Sequence, residues 1–432
     1  MDGHRSRSIR LCASDDVLMS KSVPDVRMHG FSSRTSVADA LAWLDRILDE
    51  KADRPTEVVP LTESAGRVLA QDVISSINVP QFTRSMMDGY AVRAADVAGA
   101  SAYNPLTVRE VGASLPGRPF EGRLSPGDAV RIMTGAPLPN GADAVLRIEY
   151  VERSGATVRA LSEVPPGKHV GLVGEDVGEG DRVLSAGRRL RPQDLGVLSS
   201  IGIGSVEVVD RPRVRIVVTG DELVPAGTVP QESRIADANG PMLSALVERD
   251  GGIAAHPGIV SDERERIEAA LHNKADVILV SGGSSCGEED HAPSILAERG
   301  ELSVHGIAMR PSSPAGMGTL GARLVFLLPG NPVSCLCAYD FFAGRAVRSL
   351  GGRSREWPYR CIEVPLSRKL VSQVGRTDYA RVRLDGGGAE PLAISGASIL
   401  SSTTRADGFV VVPADREGYP AGASVQVWLY DL

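Results

Sequence analysis

Three short stretches combine glycine with hydroxyl, amide or acidic side chains at the ends of apolar runs. They are Thr219-Gly220-Asp221-Glu222-Leu223, Ser281-Gly282-Gly283-Ser284-Ser285-Cys286-Gly287 and Pro329-Gly330-Asn331-Pro332. The runs before them, Val214 to Val218, Val277 to Val280 and Leu324 to Leu328, read as β-strands. Val277 to Val280 has no polar face, the pattern of a parallel strand covered on both sides. Glycine tolerates positive φ and has no side chain in the way, so such strand ends can turn backbone N–H groups towards an anion. Glu289, Asp290 and His291 follow the second loop. In an open α/β sheet, ligands bind beyond the carboxyl ends of the strands. A Mg2+ ion bridging phosphate oxygens to the carboxylates would reconcile acids with anion-binding backbone, since Mg2+ takes one or two carboxylates plus phosphate. The expectation is a phosphate- or nucleotide-containing ligand on a doubly wound α/β domain.

The elements that must hold these loops are legible in outline. Asn239-Gly240-Pro241 opens a helix through Val247 that Gly251-Gly252 stops, and Ser261 caps a second helix to about His272. Asn331 caps a third, with Pro332 as its first residue, running to about Leu350 and aiming its N-terminus over the sheet. Upstream, Ser36 to Asp39 looks like a capping box with Asp in the Glu position, followed by helical spacing from Val37 to Leu48. Leu61 to Leu69 forms a second amphipathic piece. Residues 72–177 are rich in proline and short β-like runs such as Ala129 to Met133 and Ala144 to Ile148. Two loops stand out there, Ser85 to Ala91 with Asp88 and Thr134 to Pro139. Gly174-Glu175-Asp176 marks another turn, and Leu190 to Ile203 reads as helix. After Gly351-Gly352, strands at Cys361 to Val364, Ala380 to Leu384, Gly408 to Val412 and Ser424 to Leu429 suggest a small β-barrel, with Gly396 to Ser402 as its polar loop.

Composition narrows the function classes. Length gives a prior of about three domains, and 42% hydrophobic residues supply several cores. A net charge of −7 and 4% aromatics argue against a nonspecific nucleic-acid binder or a base-stacking surface. No apolar run reaches membrane-spanning length. Five scattered cysteines without a CxxC pair fit a reducing, cytoplasmic compartment. Cys335 and Cys337 read as small core residues and Cys286 as structural. Residues 1–35 lack a signal-peptide core and read as a disordered tail.

Taken together and in order, the loops resemble the molybdopterin molybdenumtransferase family, MoeA and the E-domain of gephyrin. The resemblance runs from Ser36 to Leu432 and rests on Ser85-Met86-Met87-Asp88-Gly89-Tyr90-Ala91, Ile132 to Pro139 with Gly141 to Val145, Gly174 to Val177, Thr219 to Leu223, Ser281 to Gly287 and Leu328 to Ser334. It implies a multidomain α/β plus β protein with a MogA-like molybdopterin-binding domain. The implied layout is a linker domain at 36–71 and 178–211, an inserted β-rich lid at 72–177, the α/β domain at 212–352 and a C-terminal β-barrel at 353–432. It further implies a homodimer whose cleft joins the α/β domain of one subunit to the lid of the other. The implied reaction inserts molybdate into adenylylated molybdopterin with release of AMP, using Mg2+. Family roles fall on Asp88, Thr134, Glu222 and Asp290 as catalytic residues, with Asp221, Glu222 and Asp290 on the metal. Substrate binding falls on Asp176, Asp221, Ser281, Gly282, Gly283, Ser285, Gly287, Arg310, Pro329, Gly330, Asn331, Pro332 and Ser402. Candidate partners are the pterin substrate, a molybdopterin adenylyltransferase and recipient molybdoenzymes.

The chain departs from the family where a Lys-Pro-Gly-Lys-Pro segment is usual. Here Arg310-Pro311-Ser312-Ser313-Pro314 stands, with Ser313 for the second lysine and Gly306 for a further lysine upstream. Arg310 can serve as a cation, though arginine and lysine are not interchangeable, and His305 lies nearby. These losses leave open a catalytically weak molybdopterin-binding or scaffold paralogue. A molybdopterin adenylyltransferase, which would share the α/β domain, is the third reading.

Overall fold

The computed structural model describes residues 33–272, 274–283, 290–393 and 396–430. The chain divides into two compact units, residues 55–210 and a second unit formed by 1–54 with 211–432.

In the unit 55–210, Thr56–Pro60 pairs antiparallel with Ser205–Val209. This ribbon packs with the helix Pro192–Ser200 around Leu69, Leu198 and Val208. The stretch from Leu61 is only a 3-10 turn, Leu61–Glu63, before irregular chain. Gly66, with φ 76°, suits a turn better than a helix. A six-stranded sheet dominates the rest, in the order Ala144–Arg147, Gly89–Val92, Asp128–Ile132, Leu106–Ser114, Thr157–Ala160, Val151–Ser154. Gly89 opens its second strand, where a Cβ would lie 2.0 Å from the Leu146 carbonyl oxygen, so no larger residue fits.

The larger unit is built on a seven-stranded sheet. Its strands are β1 (Arg213–Thr219), β2 (Ile253–Ala255), β3 (Ile259–Val260), β4 (Val277–Ser281), β5 (Glu301–His305), β6 (Gly316–Leu320) and β7 (Arg323–Leu328). The spatial order is β2-β1-β4-β7-β6-β5, with β3 also on β1. The pairs among β1, β2, β3, β4 and β7 are parallel, and β6 is antiparallel to both β7 and β5. The chain leaves β1 for β2 on one side and returns to β4 on the other, so β1 and β4 flank a topological switch point.

Alternation along these strands builds two cores, because successive side chains point to opposite faces. On one face Ile216, Leu279 and Phe326 meet α1 (Val37–Glu50), α2 (Asn239–Arg249) and the helical stretch of α5 (Pro332–Ala338), a π turn (Tyr339–Ala343) and α6 (Gly344–Leu350). On the other, Val217, Ile278 and Val325 meet α3 (Arg264–Leu271) and α4 (His291–Arg299). The first residue of α3 follows Glu263, not Ser261, and no side chain caps it. Cys335 and Cys337 are fully buried free thiols.

The helix α1 starts as its sequence suggests. The Asp39 N–H donates to Ser36 Oγ at 3.0 Å, while Ser36 Oγ donates to the Asp39 carboxylate at 2.7 Å, so the box closes through the side chains. Ala40, Leu44 and Leu48 put its buried face into the α/β core, and Arg345 forks both carboxylate oxygens of Asp45 at 2.8 and 2.9 Å. The sequence-based layout joins residues 36–50 to 56–71. In the structure the former packs on the α/β sheet and the latter pairs with 184–209. Periodicity marks a buried face without naming what buries it.

The C-terminal residues form a sheet in the order Met309–Arg310, Thr377–Leu384, Gly408–Val412, Ser424–Leu429, Arg360–Pro365, with Ala389–Ala393 also on Thr377–Leu384. The two-residue strand Met309–Arg310 belongs to the α/β segment, yet it pairs parallel with Thr377 and Asp378.

A dyad of buried Asp237 and half-buried His256 supports the start of α2. Asp237 Oδ1 accepts from the Gly240 N–H at 2.8 Å, and Asp237 Oδ2 lies 3.2 Å from His256 Nε2. A Cβ on Gly240 would fall 2.4 Å from both Asp237 and His256, so glycine lets the pair span the helix end. Hydrogen bonding to Asp237 raises the His256 pKa above its ordinary 6.5, against burial. Burial pushes Asp237 up, but the His256 bond and the Gly240 N–H outweigh it and hold the carboxyl below 3.8.

Two outcomes follow from this packing. Leu44→Ala should lower the unfolding free energy by about 2–5 kcal/mol in urea titration, because Leu44 is fully buried in the core. The dyad fixes the sign of a pH effect. A raised histidine pKa contributes stability that is full below 6.5 and fades as pH rises through the raised value. The stability difference between the native chain and His256→Gln should therefore shrink as pH is raised through that window.

Candidate functional site

The C-terminal edge of β1, β4 and β7 brings the three sequence-selected loops together. After β1, Gly220 has φ 153°, and a Cβ there would lie 2.7 Å from Glu222 Oε2. After β4, Gly282 has φ 99°, and a Cβ there would lie 2.4 Å from the Thr219 carbonyl oxygen. Gly283 faces the Thr219 hydroxyl and the Asp290 carboxylate, at 3.3 and 3.8 Å from the Cβ it lacks. After β7, Gly330 packs on the Gly282 Cα. Asn239, 7% exposed at the start of α2, ties two of these ends with one amide group. Its Nδ2 donates to Ser281 Oγ at 2.9 Å and to the Gly330 carbonyl at 2.8 Å. Ser285 and Gly287 lie outside the described residues.

Acids crowd the β1 end. The Asp221 N–H donates to Asp262 Oδ2 at 3.1 Å, and the Asp262 N–H donates to Asp221 Oδ1 at 3.3 Å. Burial raises the Asp262 pKa, and the charges of Asp221 and Glu222 raise it further against the Asp221 N–H. This excess of negative charge on oxygen donors is what a hard cation relieves. Among the described residues no three His, Cys, Asp or Glu side chains form a closed metal cage. Asp262 was not selected from the sequence. It stands beside Ser261, whose capping pattern accounted for the segment, and only the parallel pairing of β3 with β1 brings it to Asp221.

A cavity of about 790 Å3 adjoins the β7 loop. Pro329, Asn331, Ser334, Arg310, Ser313 and Arg376 are among its lining residues. Arg310 Nη2 pairs closely with the fully buried Asp378 carboxylate, which also holds Arg376 Nε at 3.3 Å and accepts from Ser372 Oγ at 2.7 Å. The sequence reading gave Arg310 as a cation for the ligand. In the structure part of that cation serves Asp378.

Two further expectations meet different local chemistry. Asn331 does cap α5 by backbone position, with Pro332 at the first turn, but its side chain makes no capping bond. The Val333 N–H instead donates to the Ala397 carbonyl at 3.0 Å, so a protein acceptor takes one donor of that helix end. Ser402 is buried and gives its hydroxyl to the Ile399 carbonyl at 2.6 Å, while Gly396 and Ala397 of its loop reach the cavity.

The unit 55–210 carries its own polar pair. Asp88 Oδ1 accepts from the Thr134 N–H at 2.7 Å and from the Thr134 hydroxyl at 2.8 Å. Those two bonds, the backbone one foremost, hold the Asp88 pKa below its ordinary value and keep it an anion. Exposed Met86, Met87, Met133 and Ile148 neighbour the pair in sequence or through the Ile148 N–H, which donates to the Asp88 carbonyl. Asp176 lies on an exposed turn whose anchor is Glu175, bonded to Arg84 at 2.9 Å and to the Leu172 N–H.

Comparison with known proteins shows the family of the chain. Three family profiles match in order, MoeA N-terminal region (domain I and II) over residues 35–202, a probable molybdopterin binding domain over 215–348 and MoeA C-terminal region (domain IV) over 363–430. A molybdopterin molybdenumtransferase of Haemophilus influenzae is 33% identical over 381 residues, 86% of this chain and 93% of that one. Molybdopterin molybdenumtransferase 2 of Mycobacterium tuberculosis is 34% identical over 391 residues, 88% and 96% of the two chains. The crystal structure of a molybdopterin biosynthesis MoeA protein from Pyrococcus horikosii superposes with a TM-score of 0.79 at 33% identity, covering 92% of this chain and all of that one. With matches of this extent on each side, the chain belongs to the MoeA family of molybdopterin molybdenumtransferases.

Proposed function

We propose that the chain is an active molybdopterin molybdenumtransferase. It takes adenylylated molybdopterin, cleaves the phosphoanhydride so that AMP leaves, and inserts molybdate at the dithiolene. The observation that carries this reading is the meeting of three strand-end loops at a switch point, with acids on one side and an arginine-lined cavity on the other. The Gly282 N–H is held by the Leu328 carbonyl at 3.3 Å, and Gly283, with φ 55° and no side chain, lets phosphate oxygens approach the backbone beyond it. Arg310, Arg376 and Ser313 offer donors, which a tetrahedral oxyanion such as molybdate needs.

The acidic group fits Mg2+ in donor chemistry. Asp221 and Asp262 with Glu222 offer hard oxygens carrying uncompensated charge, and Mg2+ needs only one or two carboxylates beside phosphate. Asp290, next to Gly283, is the further candidate ligand. When bound, the ion would offset charge on the anhydride. The protein's own part is to orient the phosphates between the glycine turn and the arginines and to keep Asp290 against the reacting end.

The finer assignments belong to the same proposal. A homodimer would bring the Asp88–Thr134 lid of a second copy to this face, and the exposed Met86, Met87 and Met133 are the apolar rim such a contact would cover. The C-terminal sheet is read as part of a barrel. Among the described residues no helix is long and apolar enough to cross a membrane, and the free thiols of Cys335, Cys337 and Cys361 suit a reducing cytoplasm. The Arg310–Asp378 pair also keeps the binding-paralogue reading in play, since it removes part of the one cation retained from the lysine segment.

The test is AMP release from adenylylated molybdopterin with Mg2+, with and without molybdate. Molybdate-stimulated release by the native chain is expected, with a loss of about 100-fold or more in Asp290→Ala, the scale on which a charge aimed at the reacting group acts. Tight pterin binding without release, restored by Ser313→Lys, would overturn the enzymatic reading in favour of the binding paralogue.

A further inference from the structure

The N-terminal segment is part of the arginine cavity. Ser33 and Arg34 line it together with the Gln373 to Arg376 turn. Their position is set by the two residues that follow them. Downstream, Ser36 caps α1, whose Ala40 and Leu44 are fully buried in the α/β core. At Thr35 itself, the N–H donates to the Gly306 carbonyl at 3.0 Å and the carbonyl accepts from the Ala308 N–H at 2.8 Å. This parallel bridge to Ile307 continues the chain of pairings through Ala308, whose carbonyl accepts from the Thr377 N–H at 2.9 Å. Segment 33–35, segment 306–310 and the strand Thr377–Leu384 therefore form one hydrogen-bonded wall.

The charges on that wall are unequal. Arg310 and Arg376 both lie against Asp378. Arg34 is exposed, and no ion pair or hydrogen bond of its guanidinium is found among the described residues. Its backbone neighbour in the bridge is Gly306, the position where the sequence lacks the upstream lysine of the family pattern. A cation absent from the strand is thus matched by one carried on the segment paired to it.

We propose that Arg34 is an anion-binding residue of this cavity, taking a doubly charged tetrahedral oxyanion together with Arg310 and Arg376. The inference rests on reading the cavity as the oxyanion side of the transferase site. The oxyanion is free molybdate or the phosphate monoester that the pterin carries once the anhydride is cleaved, both tetrahedral acceptors that need donors. A guanidinium serves either one, because its planar fork gives two N–H groups to one anion.

Binding of molybdate and, separately, of inorganic phosphate to the full chain tests this by calorimetry. Arg34→Ala should weaken binding of the relevant oxyanion about 10- to 100-fold, the range of a charge-assisted hydrogen bond. Arg34→Lys should recover only part of it, the charge without the fork, and the melting temperature should not move because Arg34 is exposed. Thr35→Pro, which removes the N–H given to Gly306, should weaken binding with Arg34 intact. A loss confined to the molybdate arm assigns Arg34 to the metal oxyanion, and a loss confined to the phosphate arm assigns it to the pterin phosphate. Unchanged binding in Arg34→Ala, with loss in Arg376→Gln, would overturn the role of Arg34 and leave the cavity reading standing. Failure of the native chain to bind either oxyanion would overturn both.

Discussion

The cationic side of the site depends on one buried carboxylate. Asp378 is fully buried, and burying an unpaired carboxylate is prohibitive, so cations must come to it. Arg310 arrives from a segment 68 residues away and Arg376 from two residues before. The parallel pairing of Met309–Arg310 with Thr377 and Asp378 sets the register in which this happens. Truncating the carboxylate would leave both guanidinium groups without this partner. This constraint also rationalises arginine at position 310. A guanidinium can give one N–H to Asp378 and keep others for a ligand, whereas a lysine ammonium is a compact charge that the carboxylate would monopolise.

The same unit carries the opposite charge at the neighbouring strand end. Asp221, Glu222 and Asp262 crowd beyond β1, and the crowding shows in the raised Asp262 pKa. The β7 loop joins the two regions. Gly330 packs against Gly282 on the acidic side, while Pro329 and Asn331 line the arginine cavity. Asn239 keeps that loop in step with β4 by bonding Ser281 and Gly330 together. A ligand with separated anionic groups, one needing a cation and one needing donors, matches such a divided surface better than a single small anion does.

What the sequence disclosed follows the range of the interactions. The buried strand at Val277 to Val280, the helix start at Ser36 and the glycine turns are local patterns, and period and turn chemistry reveal them without tertiary knowledge. Asp262, Asn239, Asp378 and Arg34 are different. Each gains its role from a partner far along the chain, and none interrupts the periodicity around it. The Val333 N–H illustrates the limit most sharply, since a helix start reads as an anion site until a distant carbonyl, here that of Ala397, is known to occupy it. Family resemblance supplies the order of the loops, but what faces the departure at Gly306 depends on the long-range pairing of Thr35 with Ile307.

The segment 306–314 shows how a lost charge can be absorbed by geometry. Where the family pattern has glycine between proline and lysine, this chain has Ser312 at φ 87°, a conformation that works against any residue with a Cβ by about 1–3 kcal/mol. The strain is offset locally, because the buried Ser312 hydroxyl donates to the Ser334 carbonyl at 2.5 Å in α5. The Ile307 N–H donates to the Ser313 carbonyl at 2.8 Å and closes the loop on itself. A glycine-lysine pair would leave this loop freer and more positive. The serine pair leaves it tethered to α5 and less charged, so electrostatic attraction for an oxyanion must come from residues that the tether holds nearby. On the proposed reading a cation on a neighbouring segment would make up that charge, and Arg34, held next to the Gly306 bridge and the α1 cap, is placed to supply it.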